Sequence, residues 1–282
     1  MRIAPGGPFD YARPLPVEVQ QRLMHIYKLD GSLLEQYVRF LWQLCQGELG
    51  TSLYYRDFQV TDLIAQTAPV SAFLGIVVLM LAIIGGIALG LFMAQRAHTR
   101  IDTILLTFTS ILTAVPAFVM GPLLIMIFAI QLQWLPVAVH AYTSWDAYIL
   151  PVIVLCLPVL AQITQLCRAG LLEAFEKPYF RTALSKGLPL SYAIYHHALR
   201  PALMPVLSFL GPTAANLLTG TVVVEQIFGI PGLGRYFVHA ALNRDYTLVM
   251  GLVIVYGVTI IFLNTLVDIL YGVCDARVRH QS

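Results

Sequence analysis

Chemistry needs reactive side chains gathered at workable spacing, and this sequence offers few. Its seven histidines (His25, His98, His140, His196, His197, His239 and His280) include no pair three or four residues apart, the spacing that sets two metal ligands on one helix face. His196 and His197 are adjacent and so point in different directions. No G-x-x-x-x-G-K-[ST] stretch occurs, so the chain holds no phosphate-binding loop of that kind. Gly229, Gly232 and Gly234 sit in Phe-Gly-Ile-Pro-Gly-Leu-Gly, which has the wrong spacing for a dinucleotide fingerprint and suits a turn. Among the four cysteines, Cys45 and Cys274 lie near opposite ends of the chain. Cys156 and Cys167 are separated by about 16 Å of helical rise, beyond disulfide reach. All four read as small apolar space-fillers. Neither a catalytic constellation nor a metal site is expected, and the chain is read as no enzyme.

The elements that carry these residues are built for a different solvent. Of 282 residues, 58% are hydrophobic and 11% charged, with a mean hydropathy of +0.76, whereas soluble domains carry about a quarter charged residues. The net charge of +2 is too small and too dispersed for a nucleic-acid surface. Five uncharged runs are long enough to cross a bilayer: Leu63 to Gln95, Thr103 to Trp145, Ala147 to Cys167, Pro201 to Val224 and Tyr246 to Val267. No Asp, Glu, Lys or Arg lies inside them, which disfavours ion-driven transport. A passive channel, a structural subunit and a transport subunit energised by another chain remain.

Positive charge orients the runs. Arg96 and Arg100 flank the first link. Arg168, Lys177, Arg181, Lys186 and Arg200 crowd the link at 168–200, and Arg277 and Arg279 mark the C-terminus. All three regions are expected to be cytoplasmic. An even number of crossings must then separate the first two, so Thr103 to Trp145 is read as one helix with a Pro136-containing external tail. The chain divides into an external N-terminal helical segment, 1–62, and a membrane domain, 63–282, with a cytoplasmic loop at 168–200. In the segment, helices are expected over Val17 to Leu29 and Leu33 to Cys45, the latter ending before Gly47 and Gly50. Parity places residues 1–62 outside although no apolar run or secretory signal precedes them. A further transmembrane helix upstream of Met1 is therefore expected in the natural protein.

The link at 168–200 is the most informative stretch. Pro178 suits a first helical turn. Tyr179, Phe180, Ala183 and Leu184 gather on one face, Arg181, Ser185 and Lys186 occupy the other, and Gly187 with Pro189 stops the helix. Such a helix suits either a groove on another protein or the anionic inner membrane surface.

Arg181-Thr182-Ala183-Leu184-Ser185-Lys186-Gly187, followed by His197-Ala198-Leu199-Arg200-Pro201-Ala202-Leu203 and Pro205, resembles the EAA loop of ABC importer permeases of the oligopeptide, dipeptide and nickel group. Arg181-Thr182-Ala183 stands where the general loop has Glu-Ala-Ala, a departure usual in the peptide branch. Ala4-Pro5-Gly6 with Pro8, Gly47-Glu48-Leu49-Gly50, Pro69-Val70-Ser71, Gly220 to Glu225, Pro231-Gly232-Leu233-Gly234, Arg244-Asp245-Tyr246, Asn264, Asp268 and Tyr271 extend the likeness to the oligopeptide B-type subunits over nearly the whole chain. Asp275-Ala276-Arg277 departs from the group's Asp-Pro-Arg.

The resemblance implies an all-α type I permease fold with five transmembrane helices in this chain and a sixth, N-terminal one before it. It implies a multi-pass subunit of a bacterial inner membrane, working with a second homologous permease, two cytoplasmic ATPases that carry ATP and Mg, and an external peptide-binding protein. This chain would bind no cofactor itself. Arg181 and Lys186 would supply polar contacts to the ATPase, Tyr179, Phe180 and Leu184 the groove-filling surface, and Gly187 the chain reversal, with Thr182 and Ala183 in the same coupling segment. Glu225, Pro231, Gly232, Gly234 and Arg235 are expected at the outer gate or against the binding protein, unless they form only a rigid turn. A hydrated path is expected along Ser110, Thr113, Asn216, Thr219 and Asn264, unless these residues only pack helices. Dipeptides, glutathione and chelated nickel are the alternative cargoes.

Overall fold

The computed structural model describes residues 31–55, 57–138, 145–218 and 222–274, together with Glu18 and Arg22. The helix expected over 17–29, Thr219 and the tail from 275 lie, apart from Glu18 and Arg22, outside them. Helix α1 runs over Leu33–Cys45, the bounds expected from sequence. Ser32 and Glu35 set its start as a reciprocal capping box: the Glu35 N–H donates to Ser32 Oγ at 3.3 Å and the Ser32 N–H to Glu35 Oε2 at 3.0 Å. Gly47 and Gly50, with φ of +79° and +84°, turn the chain out of it.

A short loop then leads into α2, Val60–Gln95, pinned by an antiparallel bridge between Thr51 and Gln59. Helix α3, Arg100–Ala114, is followed by α4, Ala117–Leu124, which continues as a π-helical turn over Ile125–Gln131. Helix α5 spans Ile149–Glu176 and α6 Pro178–Ser185. Leu190–Ala202 (α7) contains a π-helical turn, Ile194–Ala198, and precedes α8, Met204–Leu218. Helices α9, Val222–Phe228, α10, Leu233–Leu242, and α11, Tyr246–Cys274, complete the order.

Three helices, Val60–Gln95, Trp145–Glu176 and Tyr246–Ile269, are long and apolar enough to cross a membrane, and two bent pairs raise the number to as many as five. The second uncharged run departs from the single helix expected of it. Arg100–Ala114 and Ala117–Gln131 meet at 101°. Pro116 causes the break, because it has no N–H to continue the ladder and forces Val115 into an extended conformation (ψ 119°). The fourth run, Pro201 to Val224, begins at a bend: Met204–Leu218 meets Leu190–Ala202, most of which belongs to the preceding link, at 49° near Pro205.

Helix α5 is the hub, and glycines let its neighbours approach. Gly86 and Gly90 of α2 form a G-x-x-x-G pair on which a Cβ would come within 2.7 Å of Ile163 and 2.8 Å of Cys167. Gly170 lies so close to α7 that a Cβ would meet the Ala202 carbonyl at 2.5 Å. At the inner end, Arg168 grips Asp102 of α3 through two bonds of 2.7 and 2.6 Å. Cys156 and Cys167 are buried and unpaired, filling space as their sequence context suggests.

The loop before α2 is fastened by a carboxylate far along the chain. Asp245 is fully buried and accepts from the Ser52 hydroxyl, from the Leu53 and Tyr54 N–H groups at 3.1 and 3.2 Å, and from the Leu248 N–H at 3.1 Å. It thus caps α11 while clamping residues 52–54 onto the membrane domain. Replacing it by alanine strands several buried donors, each costing about 1–3 kcal/mol. Asp245→Ala should lower the thermal midpoint in detergent and open the loop before α2 to added protease. Asp245→Asn, which keeps one acceptor oxygen, should fall between it and the parent.

Candidate functional site

Helix α6 begins with Pro178 at its first turn and ends at Gly187, whose φ of +79° supplies the left-handed residue that reverses the chain. The Gly187 N–H donates to the Leu184 carbonyl at 2.9 Å and the Lys186 N–H to Thr182 at 3.1 Å. Around this short helix the side chains sort differently from the sequence expectation. Phe180, 3% exposed, and Ala183 are buried in the chain's own core. The Phe180 ring stacks on Phe175 of α5, with centroids 4.9 Å apart. Both face the chain's own interior, so Phe180 does not share with Tyr179 and Leu184 the exposed face that the sequence pattern predicts. Tyr179 and Leu184 remain exposed, beside Arg181, Thr182, Ser185 and Lys186.

The exposed surface also extends beyond the residues singled out from sequence. Leu190, Tyr192 and Tyr195 of α7 are exposed, and Tyr192 stacks on His196 with ring centroids 4.0 Å apart. Large apolar residues in a loop expected to be cytoplasmic were the available signal for them. Phe175, on the far side of α6, is the other residue missed. It joins the short helix to α5.

At the opposite end Glu225, Pro231, Gly232, Gly234 and Arg235 do come together, as a closed latch. Glu225 is 0% exposed. Its Oε1 accepts from Ser71 Oγ at 2.7 Å, and its Oε2 accepts from the Gly234 and Arg235 N–H groups at 2.8 and 3.2 Å. Ser71 in turn accepts from the Leu233 N–H at 2.8 Å. The first turn of α10 is therefore capped by a carboxylate and a hydroxyl from other helices, matching the positive end of its dipole.

The glycines make this approach feasible. A Cβ on Gly232 would sit 2.5 Å from both Glu225 and Ser71, and one on Gly234 would sit 2.6 Å from the Val222 backbone. Glu225, Gly232 and Gly234 are buried in their own chain, an arrangement that suits the rigid turn set beside the outer-gate and binding-protein readings. Pro231 and Arg235 do reach an open pocket, which they line with Tyr55, Tyr236 and His239.

The path residues fall in separate parts of the fold. Ser110 and Thr113 are exposed on α3 and donate to the Leu106 and Ser110 carbonyls at 2.8 and 2.9 Å. Gln165 of α5, absent from the expected set, donates to Thr109 Oγ1 at 3.2 Å and Ser110 Oγ at 3.3 Å. Asn216 is exposed on α8. Asn264 is half-buried where α11 crosses α8, its Oδ1 3.2 Å from where a Cβ of Gly211 would stand, a position of helix packing.

Residues 86–280 match the family described as the binding-protein-dependent transport system inner membrane component. The chain belongs to this family. It is 42% identical over 280 residues to the oligopeptide transport system permease protein OppB of Salmonella typhimurium, covering 99% of this chain and 92% of that protein. It is 37% identical over 279 residues to the dipeptide transport system permease protein DppB of Bacillus subtilis, covering 99% and 90%. Among solved structures, the inward-facing MetNI methionine ABC transporter superposes with a TM-score of 0.62 at 12% identity, over 76% of this chain and 97% of that one. An amino acid ABC transporter gives 0.60 at 18% identity, over 75% and 94%. The fold is that of ABC importer permeases.

The family match contains both α6 and the Glu225 latch, and their glycines differ in what they tolerate. Gly187 has open space for a Cβ but a left-handed backbone, so Gly187→Ala should cost about 1–2 kcal/mol. Gly232→Ala drives a methyl into Glu225 and Ser71 and should cost more, about 2–4 kcal/mol from lost caps and displaced hydrogen bonds. Thermal unfolding of the two variants in detergent tests this order.

Proposed function

We propose that this chain is one of two permease subunits of an ATP-driven oligopeptide importer in a bacterial cytoplasmic membrane, with its C-terminus cytoplasmic. The other parts are a second homologous permease, two ATPases holding ATP and Mg, and an external peptide-binding protein. The observation that carries this reading is the 42% identity to an oligopeptide permease over 99% of the chain. The 37% identity to a dipeptide permease makes dipeptides the second cargo to test.

The geometry suggests how force would travel. Tyr179, Leu184, Arg181 and Lys186 form the outward side of α6, the side open to an ATPase groove. Phe180 on the inward side grips Phe175, so movement of α6 is passed to α5. From there Arg168 carries it to Asp102 on α3, and the Gly86 and Gly90 contacts carry it to α2. ATP-driven closure would shift the permease only if the two states make different contacts at this helix. A polar stripe on α3 and α5, including Ser110 and Gln165, would offer the peptide weak contacts suited to varied sequences.

Substitutions on the two sides of α6 should fail in different ways. Tyr179→Asp with Leu184→Asp should leave the folded subunit in the membrane but cut uptake at least about tenfold, equal to the loss of 1.4 kcal/mol of coupling, while ATP hydrolysis continues. Phe180→Asp buries a charge at a cost of several kcal/mol and should reduce the amount of folded subunit instead. Arg181→Glu should weaken ATPase association more at low salt than at high. Uptake and hydrolysis measured together in proteoliposomes, with oligopeptides and dipeptides in competition, test these outcomes; unchanged uptake in the Tyr179/Leu184 double variant would contradict the docking surface.

A further inference from the structure

The pocket beside the outer latch is a cavity of about 180 Å³ lined by Tyr55, Pro231, Arg235, Tyr236 and His239. Its chemistry is one-sided. Arg235 uses Nη1 on the Gly229 carbonyl at 2.8 Å, and its Nε and Nη2 make no hydrogen bond to the described residues. The Tyr55 and Tyr236 hydroxyls and the His239 ring also have no hydrogen-bond partner among the described residues, while the two tyrosine rings lie 5.5 Å apart. Four side chains able to donate hydrogen bonds therefore face one space, and no carboxylate lines it. Two buried acids of the same region are engaged elsewhere: Glu225 on the start of α10 and Asp245 on the loop at 52–54.

Both walls are held in place before any ligand arrives. Tyr55 belongs to the loop clamped by Asp245, and its N–H donates to Ser52 Oγ at 2.8 Å. Arg235, Tyr236 and His239 belong to α10, whose start is clamped by Glu225. Arg235 and His239 are four residues apart and so share a helix face. A preformed cluster of donors around a guanidinium matches a carboxylate.

Size decides whose carboxylate it is. The volume falls below the roughly 300–1,000 Å³ of sites that enclose a whole small molecule, and suits the end of one side chain. Around it, Tyr54 and Phe58 of the same clamped loop are exposed, and aromatic residues beside an arginine are characteristic of protein interfaces. Building on the import reading above, we propose that this pocket receives an aspartate or glutamate side chain of the external binding protein, fixing its orientation over the permease.

The test uses the assembled importer in nanodiscs and reads the binding-protein concentration that half-maximally stimulates ATP hydrolysis. Arg235→Gln should raise that concentration about tenfold at low salt and reduce its salt dependence. His239→Gln and Tyr236→Phe should raise it by smaller factors; neither removes the Arg235–Gly229 bond, so they report on the pocket even where Arg235→Gln assembles poorly. Arg235→Glu should be rescued by one Asp→Lys or Glu→Lys change on the binding protein. An unchanged half-maximal concentration in His239→Gln and Arg235→Gln overturns the proposal, as does a defect that disappears when the peptide is C-terminally amidated, since the carboxylate would then be the cargo's. If the parent complex shows no binding-protein-dependent uptake, the import reading itself fails. Normal parent uptake with unaffected variants removes the pocket alone.

Discussion

Where a helix breaks at the edge of hydrocarbon, its free N–H groups have little water to turn to. This chain meets that constraint with buried carboxylates. Glu225 accepts the first N–H groups of α10. Asp245 closes α11 and holds the loop at 52–54. Asp102 accepts the His98 N–H at 3.0 Å at the start of α3 while holding Arg168. Each acid is nearly or fully buried, and its charge is offset by several donors rather than by bulk water. At the starts of α3, α10 and α11 the chain therefore redirects its helices while pairing backbone N–H groups with these acids.

These acids divide the mechanical work between the two ends of the chain. At one end, Glu225 and Asp245 unite the loop at 52–55, α9, α10 and the start of α11 into one fixed surface. At the other, Asp102 joins α3 to α5, and the Phe175–Phe180 stack joins α5 to α6. Helix α5 lies between the two ends, packed on α2 through Gly86 and Gly90. Close glycine contacts deform little, since small residues leave no flexible side chain to absorb a shift. In the import reading, α5 is the member that carries displacement across the bilayer.

Much of this was legible in the sequence because it is local. The capping pair Ser32 and Glu35, the apolar period of α1, and Pro178 with Gly187 at the ends of α6 all signal within a few residues, and the observed bounds agree. Charge-free length located the membrane-crossing regions, but Pro116 broke one where hydropathy sees only a continuous run. The faces of α6 were harder to read. Tyr179, Phe180, Ala183 and Leu184 wrap around more than one side of an eight-residue helix, so periodicity alone did not separate the buried pair from the exposed one. The roles of the acids were hidden for another reason. Glu225 meets Ser71 across 154 positions, Asp245 meets Ser52 across 193 and Asp102 meets Arg168 across 66. These separations carry no local sequence signal, and only the packed chain reveals the partners.

The account turns on α5 and α6 moving as one body. Spin labels at Trp145, at the outer end of α5, and at Lys186, just past α6, would read this by pulsed electron resonance in the complete importer with and without ATP. A Trp145–Lys186 distance that stays constant, while the distance from Trp145 to a label on the second permease changes, is the predicted result. A Trp145–Lys186 distance that itself changes with ATP would show α6 moving apart from α5 and would contradict the account.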